Sequence, residues 1–266
     1  MVIRCAPLDT RNHRPAATIA IVAFVVLVLE LTSTRLYAYI GSSHATSTAL
    51  SIALLGLGVG AFVRLRHARW TEPRRAAPGL AASLLCLAVA AIAGAPLAAL
   101  VALSLVPFAL AGILLSDAYA VRGSTAARAT YAFDLFAAAS GCLVAPRLLG
   151  PLAPTEIMMV LGLLCCGLAL MLAERRGRAA IALIAVAHVG LLVAARHLPD
   201  GPLEVLLRSD PHSEKAIVEA GTSSRDVIDS VWSPLGRLDV HRVTGERHLR
   251  LGVFTDGMSP PYMVEA

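Results

Sequence analysis

The sequence predicts a mainly α protein: a polytopic transmembrane helix bundle of about seven spans, followed by a small β-rich C-terminal segment. Three observations carry this. Of the 266 residues, 57% are hydrophobic and 15% charged, where a soluble domain has about 25% charged. The mean hydropathy is +0.70. The apolar residues also fall into runs long enough to cross a hydrocarbon core of about 30 Å, separated by short arginine-rich segments. This composition excludes an ordinary water-soluble enzyme and a disordered chain. The expected organisation is a cytoplasmic N-terminal segment at 1–15, the bundle at 16–195 and a soluble segment at 196–266.

The first span is expected at Ala16–Tyr39, after Arg4, Arg11 and Arg14. It is too long for the core of a signal peptide, and no small-x-small site closes it, so it is read as uncleaved. The second is expected at Ala45–Val63. The apolar stretch Gly79–Ala118 is 40 residues long, about twice what one crossing needs. Gly94-Ala95-Pro96 interrupts it, which predicts a hairpin of spans three and four. Spans five, six and seven are expected at Thr130–Leu149, Thr155–Ala173 and Ala179–Ala195.

The arginines support this count and suggest an orientation. Segments 1–15, 64–78, 119–129 and 174–178 together hold 13 arginines, and the turns at the opposite span ends hold none. Arg35 and Arg147 lie near those opposite ends. The positive-inside rule then places the N-terminus in the cytoplasm and the segment after span seven outside, in a multi-pass inner-membrane protein. Residues 1–195 carry a formal charge of +8 (15 Arg, 7 acidic) and residues 196–266 carry −3. Basic residues placed between apolar runs report topology, and a nucleic-acid partner is not expected.

From Arg196 the character changes. Pro199-Asp-Gly-Pro202 reads as a linker and Ser213–Ala220 as a short helix. Val231-Trp232, Arg237–Val243 and His248–Phe254 read as strands, the last by its polar–apolar alternation.

Few residues could carry chemistry. Gly56-Leu-Gly58-Val-Gly60 matches a GxGxG pattern, but a dinucleotide loop follows a strand and opens a helix, and this one lies inside an apolar span. Gly56 and Gly60 read better as a GxxxG packing face, with Ala137 and Gly141 as a second small-xxx-small pair. Glu30, Arg35 and Asp134 form a candidate intramembrane polar cluster, because a carboxylate at such depth must pair, face the interior or be protonated. The cluster would serve a ligand or proton path, or else fix helix register as an internal ion pair. Asp117 ends span four, and Tyr131 lies near Asp134. His188 is expected to hydrogen-bond between helices. Cys86, Cys142, Cys165 and Cys166 read as buried small hydrophobes, and Cys5 lies outside the spans. His212, His241 and His248 show no HxH or HExxH spacing, and there is no CxxC or GxSxG. No catalytic residue, metal site or cofactor is expected from these residues.

Several segments together resemble a known family. Glu30-Leu-Thr-Ser-Thr-Arg35, Leu54–Gly60 and Tyr131–Gly141 resemble the membrane part of spermidine-synthase-like proteins with an N-terminal multi-span domain. Trp232–Val240 and Phe254-Thr-Asp-Gly257 resemble the β-segment that precedes their aminopropyltransferase-like Rossmann domain. The resemblance runs over nearly the whole chain. It implies an aminopropyltransferase relationship and polyamine, a cationic small molecule, as partner. The glycine-rich loop and diamine-holding acids of that domain have no match in residues 1–266. The expectation is therefore the non-catalytic membrane half: either the catalytic domain begins after Ala266, or the protein works without it. The family's substrates are cytoplasmic, whereas seven spans place the tail outside. A seventh span that lay along the interface or re-entered would reverse that.

Three functions fit these features. The bundle could anchor a soluble part or deliver polyamine, with Glu30 and Asp134 as cation contacts. It could be a small transporter or half-transporter using the buried acids. It could be a scaffold whose small-residue faces bind partner helices or a second copy of the chain. The lipid bilayer is the common partner of all three.

Overall fold

The computed structural model describes residues 13–40, 43–67, 72–122, 127–197, 227–233, 236–244, 249–255 and 262–265. The expected linker at 199–202, the short helix at 213–220 and most of segment 1–15 lie outside the described residues.

The described residues hold seven long helices: α1 (His13–Ile40), α2 (Ser43–Arg66), α3 (Pro73–Ile92), α4 (Leu97–Arg122), α5 (Ala127–Leu148), α6 (Pro154–Leu172) and α7 (Arg178–His197). All seven are long and apolar enough to cross a membrane. The chain is a multi-pass membrane protein built as a helical bundle. Four strands, β1 (Val227–Ser233), β2 (Gly236–Thr244), β3 (Leu249–Thr255) and β4 (Tyr262–Glu265), pair antiparallel in the order β1-β2-β3-β4. Trp232 stands opposite Arg237, Val240 opposite Val253 and Gly252 opposite Met263.

Several helices outrun the apolar runs that signal them. α3 begins at Pro73, ahead of Gly79, and α4 continues past Ala118 to Arg122. The backbone gains by staying hydrogen-bonded until it has left the hydrocarbon, while long arginine side chains reach the headgroups. Pro73 fits the first turn, where a missing N–H costs nothing.

The hairpin between α3 and α4 falls at the predicted break. Gly94 adopts φ 67°, the left-handed conformation that glycine tolerates. Its N–H donates to the Ala91 carbonyl at 3.0 Å, and Ala95 N–H donates to Ala90 at 2.9 Å. This pair of bonds closes the helix as a Schellman motif. The Pro96 carbonyl then accepts from Ala99 and Leu100 and starts α4.

α1 packs against α2, α4, α5 and α6, while α3 packs against α4 and α6, and α6 carries α7. Leu29, Leu36, Leu84, Leu87, Leu100 and Met158 are among the core side chains. α2, α5 and α7 lie at the periphery, with Leu54, Phe62, Phe136 and Leu183 facing outward. Outward apolar side chains are what a bilayer solvates.

Two ties show that α7 runs the length of the bundle. At its start, Arg178 follows Glu174, which pairs with Arg74 at the beginning of α3. At its end, Arg196 Nε donates to Glu156 Oε1 at 3.3 Å, and a second guanidinium nitrogen reaches the Pro151 carbonyl at 3.2 Å. Glu156 lies in the first turn of α6, and Glu174 lies just beyond its last. A helix of 20 residues covers about 30 Å, the thickness of the hydrocarbon core.

The backbones of α2 and α4 approach one another closely. A Cβ added at Gly60 would overlap the Ala109 carbonyl, and one at Gly112 would overlap the Leu57 carbonyl. Gly58 meets nothing within 4 Å. Further along both helices Arg64 pairs with Asp117, so α2 and α4 run parallel. Gly60→Ala is expected to lower stability by about 1–3 kcal/mol through forced separation of the helices, while Gly58→Ala leaves it unchanged. Thermal unfolding of the purified protein in detergent measures both.

Candidate functional site

The intramembrane polar residues are distributed along the bundle and not gathered at one centre. Asp134, on the second turn of α5, accepts a hydrogen bond from Tyr119 Oη at 2.7 Å. Tyr119 stands near the end of α4, so this contact fastens the α4 end to the α5 start. Two residues earlier on α4, Asp117 accepts from Arg64 Nε at 3.0 Å and from a second guanidinium nitrogen. Both partners are largely buried. A charge-assisted pair of this kind is stronger than a neutral hydrogen bond and is screened little at such depth.

Glu30 and Arg35 lie elsewhere. Tyr37 Oη, seven residues after Glu30, donates to the Leu100 carbonyl at 3.0 Å. Leu100 is at the start of α4 and Tyr119 near its end, about 28 Å apart along the axis at roughly 1.5 Å per residue. The same rise places Glu30 about 18 Å, and Arg35 about 25 Å, from the level of Asp134. Gly141 packs against Phe24, Leu27 and Val28, with a would-be Cβ 3.1 Å from the Phe24 carbonyl, and as first and fifth of the successive crossings α1 and α5 run in the same direction. The expected cluster of Glu30, Arg35 and Asp134 is therefore not assembled. The reason is topological. Parallel α1 and α5 bring residues of equal height together, and residue 134 is near the start of its helix while residue 30 is well past the middle of its own.

Glu30 is half-buried. Thr32 and Thr34 turn their hydroxyls back onto the Val28 and Leu31 carbonyls of the same helix, at 2.7 and 2.8 Å.

The packing residues are all inside the fold. Gly56 and Gly60 meet α4, where a Cβ at Gly56 would stand 2.5 Å from Phe108 Cβ. Ala137 and Gly141 are buried on α5. Gly112 and Ala109 complete the α2–α4 crossing; Gly112 forms a small-xxx-small pair with Ser116, a signal in the sequence that could have found it.

His188 departs from expectation. It is fully buried, and its Nδ1–H donates to Ile184 of its own helix at 2.9 Å. Nε2 has no partner among the described residues. The ring lies against Gly162 of α6, where a Cβ would overlap it. A glycine opposite leaves the imidazole room but gives it no donor, so the contact is one of shape. The cysteines also divide. Cys165 and Cys166 are buried, while Cys86 and Cys142 are exposed on the helix surface, because a lipid-facing site is as apolar as the core. Among the described residues no group of three His, Cys, Asp or Glu side chains converges.

No family model matches the chain, and neither a curated protein nor a solved structure does.

Tyr119→Phe is expected to cost about 1.5–3 kcal/mol, the range for a hydrogen bond to a charged acceptor. Asp134→Ala should cost at least as much, and the double variant should cost less than the sum. A double-mutant cycle read by thermal unfolding measures this coupling, and additive losses would deny the contact any energetic role.

Proposed function

We propose that the bundle is a membrane anchor that holds its C-terminal segment at the bilayer, as the non-catalytic membrane half of a spermidine-synthase-like protein. The use of the polar groups supports this reading. Asp117 pairs with Arg64, Asp134 with Tyr119 and Glu156 with Arg196. Each pair fastens two neighbouring helices. A transporter instead needs polar groups that share a route near the bilayer midplane. Glu30 and Asp134 are also too far apart for one short diamine to bridge. The small-residue faces of Gly56, Gly60, Ala137 and Gly141 are covered by α4 and α1, which favours an anchor over a scaffold that uses those faces for partner helices.

The family side of the proposal rests on the resemblance of Glu30–Arg35, Leu54–Gly60 and Tyr131–Gly141, and on Trp232–Val240, which bridges β1 and β2. On this reading the β-rich tail is the lead-in to an aminopropyltransferase-like domain. The arginine distribution orients the N-terminus to the cytoplasm and the tail outward.

Two measurements separate the readings. As an anchor, the purified protein should show no change in thermal midpoint with millimolar putrescine or spermidine. A polyamine-dependent rise that Asp134→Asn abolishes would restore the delivery reading. The genomic frame downstream of codon 266 tests the family. A strand followed by a glycine-rich loop is expected there, and a stop codon with no such sequence after it would remove the assignment.

A further inference from the structure

At one corner of the bundle the ends of three helices gather arginines from distant parts of the chain. The Arg74–Glu174 ion pair joins the first turn of α3 to the end of α6, across 100 residues of sequence. Arg75 adjoins Arg74, and Arg175, Arg176 and Arg178 adjoin Glu174. α7 starts at Arg178 and packs against both α6 and α3. All five arginines are exposed. Two carboxylates stand among them: Glu174, and Glu72 at 3.9 Å from Arg75 Nε. Five positive against two negative charges leave an excess of three on a small surface.

The neighbouring corner is built differently. There Arg64 is largely buried and its charge is met by Asp117. That pair is a clamp between helices, while the α3–α6–α7 corner is an open cluster whose charge is only partly compensated. Its place is also defined. It lies where three membrane-crossing helices reach the surface, at the depth of lipid headgroups. The N-termini of α3 and α7 add the positive ends of two helix dipoles.

We propose that this corner binds the headgroup of an anionic phospholipid. Guanidinium forks match phosphate oxygens in bidentate geometry, and basic pockets between helix ends are suited to charged headgroups. The apolar surface beside it specifies a lipid as the source of the phosphate. Leu170 and Met171, within one turn of Glu174, are exposed, and so is Leu183, five residues beyond Arg178. They offer acyl chains a surface directly below the headgroup site. Such a lipid would cover three helix ends at once and tie α7, otherwise the least embedded helix, to α3 and α6.

The test uses the full chain in a neutral detergent, with thermal unfolding followed as phosphatidylglycerol or phosphatidylcholine is added. Phosphatidylglycerol is expected to raise the midpoint by several degrees more than phosphatidylcholine. The double substitution R175Q/R176Q should at least halve that difference. Glu174→Gln, which releases Arg74, should widen it, so the proposal is also read as a gain. Arg128→Gln, on the start of α5, should leave it unchanged. Equal shifts with the two lipids, or a full phosphatidylglycerol effect in R175Q/R176Q, would overturn the site. A shift reproduced by water-soluble glycerol phosphate alone would overturn the lipid as its occupant.

Discussion

A peptide group inside hydrocarbon has no water to bond, and almost every feature of this chain follows from that. Each crossing segment must satisfy its own backbone, so it forms a helix and keeps that helix until it leaves the apolar layer. This is why α3 and α4 extend past their apolar runs to Pro73 and Arg122. It also explains why the turn between them needs Gly94 and two compensating hydrogen bonds to end one helix cleanly before the next begins.

Once every helix is self-satisfied, burial of apolar surface no longer drives helices together, because lipid is as apolar as leucine. Close approach and polar contacts take over. The α2–α4 crossing shows the first mechanism. Glycine at 56, 60 and 112 lets the backbones come near enough that a single methyl group at either 60 or 112 would overlap a carbonyl. The second mechanism appears at the helix ends. Arg64–Asp117, Tyr119–Asp134, Arg74–Glu174 and Arg196–Glu156 each bind one end of one helix to another. These contacts set the relative heights of the helices, which close packing alone leaves free to slide.

The same contacts account for the candidate site. Asp134 is conspicuous in the sequence as a carboxylate inside an apolar run, and so is Glu30. Their shared rarity suggests a shared location. Asp134 instead meets Tyr119, a residue with no unusual feature in the sequence, because the end of α4 and the start of α5 come together there. The pairing of Arg64 with Asp117 is equally hidden, since 53 residues separate the two. The apolar α6–α7 interface accepts a histidine because Gly162 leaves room for its ring. No spacing rule signals that fit.

Length, apolar composition and arginine placement determine local and one-dimensional properties: how many helices, roughly where each begins, and where the chain must turn. These are legible because the bilayer imposes one thickness and one backbone solution on every span. Which helices lie side by side, and at what relative height, depends on shape and on distant polar partners. Those are pairwise properties of residues far apart in sequence, and only folding brings them into contact. Glu30, Arg35 and Asp134 are polar residues of three apolar-run positions in the chain, but they occupy different levels of the bundle. Arg74, Arg75, Arg175, Arg176 and Arg178 look like two separate loop charges and become one corner, because α3 and α6 are packed together with their ends aligned.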